Sequence, residues 1–66
     1  MGGSVMREGA VLERRSDGVE FKVISVGHWS SICSESGETD SVKWFGMDGE
    51  RAAYVSASKG FTYSLV

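Results

Sequence analysis

Proline is absent from this 66-residue sequence, cysteine occurs once, at Cys33, and histidine once, at His28. One cysteine excludes an internal disulfide, and Cys33 with His28 falls short of the four ligands of a structural zinc site. No hydrophobic run approaches the roughly 18–20 residues of a membrane-spanning helix, so a soluble chain without a membrane role is expected. The N-terminus lacks the basic segment and apolar core of a secretory signal, and with one free thiol the expected location is cytoplasmic. An excess of charge of one sign is missing too: 7 Lys and Arg stand against 9 Asp and Glu, a formal net charge of −2. Residues 34–41 hold three of those acids and no base, which leaves 7 bases and 6 acids elsewhere. A nearly neutral body does not favour a polyanionic partner.

Helical periodicity is also lacking. No window keeps apolar residues at i, i+3, i+4 and i+7; short β-branched and aromatic runs separated by Gly-containing turns predict an antiparallel sheet instead. Residues 1–6, with a second Met at Met6, read as a flexible leader left by expression, and residues 7–66 as one small β domain. The expected strands are Ala10–Arg15, Val19–Val26, His28–Cys33, Val42–Met47, Arg51–Ala57 and Phe61–Val66. Val19, Phe21 and Val23 should face the core. The alternation breaks at Ile24 and Val26, which implies a bulge near Ile24–Ser25 or a strand buried on both faces. Turns are expected at Ser16–Gly18, where Asp17 can bond its own downstream backbone, at Asp48–Gly49 as type I′, and at Ser58–Gly60. Ser34–Ser41 carries no apolar side chain and reads as a solvated loop. Five or six strands joined mostly by tight turns fit a small meander that curls into an SH3-like barrel, with an open sheet dimerising through one face as the alternative.

Few residues can carry chemistry. His28 and Cys33 are five apart, on opposite faces of a regular strand, so they do not make a nucleophile–base pair. Cys33 reads as a small buried hydrophobe. The acidic residues Glu35, Glu38 and Asp40 lack EF-hand spacing, and Gly46–Gly49 lacks the Lys-Ser/Thr ending and helix of a phosphate loop. No catalysis, metal or cofactor is expected.

The pair Trp44–Phe45 is more informative. Adjacent strand residues point to opposite faces, so one large ring must look away from the core. With Trp44 sharing a face with Val42, an outward group of Phe45, Met47 and Tyr54 is predicted. The expected function is a non-catalytic protein-interaction module, a small regulator or inhibitor. It would bind a protein partner or a second copy through that patch and through the acidic loop of Glu35, Glu38 and Asp40. The alternative is a barrel that binds single-stranded RNA or DNA through Lys43, Arg51, Lys59 and Trp29. Ordering so short a chain costs on the order of 100 kcal/mol at about 1.5 kcal/mol per residue, and a domain of about 60 residues hides only about 60% of its surface. A partner or second copy is therefore the expected missing part of the core.

Overall fold

Phe21 and Val23 alternate with Glu20 and Lys22, and the strand they form turns both apolar side chains inward, each 1% exposed. The same alternation builds a computed structural model, describing residues 6–66, of six antiparallel strands. They are β1 (Val11–Arg14), β2 (Glu20–Ser25), β3 (Ser30–Ser34), β4 (Thr39–Asp48), β5 (Arg51–Ser56) and β6 (Thr62–Leu65). Each strand pairs with the next and β6 pairs with β1, so the meander closes into a small barrel consistent with the SH3-like expectation, and the open sheet is set aside. Closure removes the outer edges that an open sheet would expose. The core is Leu12, Phe21, Val23, Ile32, Val42, Tyr54 and Tyr63, with Phe21 edge-on to Tyr63 at 5.3 Å between ring centres. Residues 1–5 of the expected leader lie outside the described residues, and Met6 packs against the core.

Antiparallel order gives the barrel two unlike ends. The connections β1–β2, β3–β4 and β5–β6 lie at one end. The approach to β1, the β2–β3 connection, the β4–β5 turn and the C-terminus lie at the other.

Several local expectations change. The β2 bulge is present, with Val23 opposite Ile32 and Ser25 opposite Ser31, so Ile24 is the extra residue and points outward. Val19 sits in the β1–β2 turn, 36% exposed, rather than in the core, because β2 begins one residue later. The β4–β5 turn has two central residues, Gly49 and Glu50, between the paired Asp48 and Arg51. Only Gly49 has positive φ, 67°, which excludes type I′ and matches type II′. The solvated loop expected at Ser34–Ser41 shrinks to a tight turn closed by Ser34 N–H to Glu38 O, 2.8 Å, and β4 already starts at Thr39.

Outside the barrel, Glu13, Ser64, Ala53 and Gly46 form one row across β1, β6, β5 and β4. Small side chains let two ion pairs cross over them: Arg15 to Asp48 at 2.7 Å and Arg51 to Glu13 at 3.0 Å. Arg15 Nε also donates to Ser64 Oγ, and Ser64 and Ala53 are buried although they face outward.

Leu12, fully buried at the centre, tests the core: Leu12→Ala removes about 2–5 kcal/mol. In a domain this small that is most of the expected stability. The variant should show an unfolded or strongly broadened amide spectrum at 25 °C, and a cooperative melt close to wild type would contradict this core.

Candidate functional site

The first end of the barrel is saturated with polar contacts. Arg14 closes β1 on the interior face, opposite Tyr63, with its side chain 9% exposed. Its Nε and Nη2 donate to the two oxygens of Asp17 at 2.9 and 2.8 Å, and Nη1 donates to Glu38. The guanidinium carbon stands 4.7 Å from the Phe61 ring centre and 5.2 Å from that of Phe21. Only a planar fork of donors can hold two carboxylates through its N–H groups and still rest against aromatic rings. The hydrogen bonds to Asp17 and then Glu38 raise the Arg14 pKa still further, and Arg14 holds the Asp17 carboxyl below the usual carboxylate range. As expected, Asp17 Oδ1 also accepts the Val19 N–H, at 3.2 Å.

Beside this cluster, the buried Tyr63 hydroxyl donates to Asp40 Oδ2 at 2.6 Å. Asp40 Oδ1 accepts Ser56 Oγ–H at 2.9 Å and the Ser41 N–H at 2.8 Å. Burial, followed by the Asp40 hydrogen bond, pushes the Tyr63 phenol above its usual range. Of the acidic residues predicted to reach a partner, Glu38 is therefore engaged with Arg14 and Asp40 is buried structure. Glu35 alone is exposed, beside a shallow outer groove lined by Val19, Lys22, Ile24 and Cys33.

The second end is apolar and open. Val26, Trp29, Trp44, Phe45, Met47 and Val66 are all exposed there, with Phe45 at 72%, Met47 at 61% and Trp44 at 58%. Two features of β4 explain three of them. Trp44 pairs with Tyr54 and Gly46 with Ala53, so Phe45 is a bulge without a partner on β5. The bulge resets the phase: Met47 lies opposite Ala52, on the interior face that Trp44 shares with Tyr54. β4 outruns its neighbour, because β3 pairs with it only as far as Val42. The hairpin thus projects past the barrel, and among the described residues nothing covers the inward faces of Trp44 and Met47.

The predicted outward group of Phe45, Met47 and Tyr54 does not form: the bulge turns Met47 to the interior face, and Tyr54 is 5% exposed and belongs to the core, where burial raises its pKa. The predicted partner surface is therefore divided, with Phe45 and Met47 at the apolar end and the acids at the polar end. Of the proposed nucleic-acid residues, Lys43 and Trp29 meet, with Lys43 Nζ 5.0 Å from the Trp29 ring centre. Arg51 is bound to Glu13, and Lys59 caps the polar end by donating to the Thr39 carbonyl at 2.9 Å. The residues that sequence reasoning missed are Arg14 and Trp44. A Gly inside a strand of doubly apolar phase, as at Gly46, was the available sign of a bulge.

His28 lies exposed in the β2–β3 connection, edge-on to Trp29, while Cys33 lies towards the opposite end of β3. Cys33 is half-exposed rather than buried, opposite Lys22, with its thiol 3.3 Å from the Ser34 carbonyl. No group of three metal-binding side chains assembles among the described residues. No model of a known protein family, no curated protein and no solved structure matches the chain.

Two tests address the polar end. Tyr63→Phe removes a charge-assisted hydrogen bond inside the barrel and should cost about 2 kcal/mol, read by urea denaturation; a loss under about 0.5 kcal/mol would mean that Ser56 and Ser41 suffice for Asp40. Stability should also fall at both extremes of pH. The Asp17 pKa is lowered on folding, so its contribution is present above the unfolded value near 4 and is lost as the pH drops below it. The Tyr63 pKa is raised, so its contribution is complete below about pH 10 and is lost as the pH rises beyond. Denaturation midpoints across this range check both signs, and Tyr63→Phe should flatten the alkaline limb.

Proposed function

We propose that this chain is a non-catalytic protein-interaction module that docks a protein partner on the apolar end of its barrel, principally through Trp44, Phe45 and Met47. The observation that carries this is the concentration of large exposed rings and a thioether on the projecting β4–β5 hairpin. Aromatic residues and Met are the side chains enriched where interfaces bury most area, and contiguous apolar exposure on a small monomer marks interaction sites. A 66-residue domain with such a surface acts by occupying a partner, the mode of a small regulator or inhibitor. A half-exposed free thiol is compatible with the reducing cytoplasm.

One observation favours a second reading. Lys43 over Trp29, at the end that also carries Trp44, is a cation beside stacking surfaces, the elements of a single-strand binding site. It ranks below the first because the other two cations are engaged elsewhere.

Affinity capture from source cells, comparing wild type with Phe45→Ser/Met47→Ser, separates these readings. Loss of each anchor should weaken capture by roughly 30-fold, with the melting temperature retained; undiminished capture rejects the apolar end as the docking site. Trp29 and Trp44 are the only tryptophans, so their fluorescence reports directly on this end. A fluorescence change with single-stranded oligonucleotides that weakens steeply with salt would shift the assignment to nucleic acid.

A further inference from the structure

The outer half of β4 pairs with β5 alone: among the described residues no strand meets Lys43–Asp48 on its other side. Over these six residues, about 20 Å of strand, the backbone donors and acceptors not used by β5 therefore form a free edge on an otherwise closed barrel. Natural edges of this kind are usually blunted by charge or proline. This one contains no proline, and its two charges, Lys43 and Asp48, sit at its two extremities and cancel.

The bulge gives the edge a further property. Lys43 lies opposite Val55 and Asp48 opposite Arg51. Val55 and Arg51 are four apart on a regular strand and share a face, so Lys43 and Asp48 do as well. In an unbulged strand, residues five apart would point to opposite faces. Trp44 and Met47 likewise share the other face through Tyr54 and Ala52. The segment thus reads alike from both ends about a centre between Phe45 and Gly46. Cation and anion are exchanged on one face, and two large apolar side chains match on the other.

From this we infer that a second copy of the chain pairs antiparallel along the β4 edge, forming a two-fold symmetric dimer. An isologous contact requires that if residue i meets j, then j meets i. Here Lys43 of each copy meets Asp48 of the other, Trp44 meets Met47, and Phe45 meets Gly46. No atom lies within 4 Å of where a Gly46 side chain would begin, so the position has room for a ring. Asp48 is 73% exposed and holds Arg15 through Oδ2 alone, leaving Oδ1 for Lys43 of the second copy. Lys43 meanwhile rests on the Trp29 face, which holds no opposing charge there. Pairing joins two hairpins into a four-stranded ribbon and leaves its apolar face continuous across both copies. The inference rests on the proposed docking role of this end and names its first occupant.

Sedimentation equilibrium of the full chain from micromolar to millimolar concentration tests it. A monomer–dimer equilibrium is expected. Lys43→Asp or Asp48→Lys should each raise the dimer dissociation constant by about tenfold through two like-charge contacts per dimer. The double variant should restore it, which an effect through Arg15 or Trp29 within one copy would not. In the unmodified chain, amide exchange at Trp44–Asp48 should slow with concentration, a readout independent of variant folding. A chain that stays monomeric throughout, or a dimer indifferent to both single exchanges, overturns the β4 pairing. A monomer that still loses its captured partner on Phe45→Ser/Met47→Ser would overturn the dimer alone and leave the docking role standing.

Discussion

Arg14 is the group on which the rest of the barrel depends. It sits on the interior face at the closing end of β1, where a full positive charge has little water around it, and such a charge is tolerated only when paired and hydrogen-bonded. Asp17 comes from the β1–β2 turn and Glu38 from the β3–β4 turn, and Phe61, at the end of the β5–β6 connection, offers its ring face. One guanidinium thereby ties together all three connections at its end. Tyr63, opposite Arg14 on β6, continues the cluster to Asp40 and Ser56.

This concentration of polar contacts has a consequence for the other end. The core holds seven buried apolar or aromatic side chains, and the two openings of the barrel are treated differently. The polar end is closed by turns that carry their own hydrogen-bond partners. At the apolar end Met6 and Ala10 pack against the core, and the hairpin runs past the barrel with its inward face uncovered by any described residue. The barrel is thus amphipathic along its axis rather than across its wall, and its exposed rings gather at one end because the antiparallel order sends the β4–β5 turn there.

Much of this was legible in the residues. Phe21 and Val23 alternate cleanly, the break after Val23 announced the β2 bulge, and Gly18, Gly49 and Gly60 marked turns. Trp44–Phe45 correctly signalled apolar surface. Its membership was misread because a second bulge, at Phe45, carries Met47 onto the interior face, where Tyr54 opposite Trp44 is covered by the barrel and Trp44, beyond the end of β3, is not. Asp40 was misread for a different reason. A carboxylate in an apolar-free stretch looks solvated unless one knows that Tyr63, 23 residues later, delivers a hydroxyl to it.

Sequence by itself determined the class of fold, most strand positions and the absence of an internal disulfide, because alternation and turn chemistry act over two to five residues. Tertiary structure alone decided which charges are structure and which are surface, and at which end the rings lie. Those outcomes follow from barrel closure and from where β3 stops pairing with β4. Both bring together residues far apart in the chain, such as Arg14 with Glu38 and Tyr63 with Asp40, and no local pattern encodes such meetings.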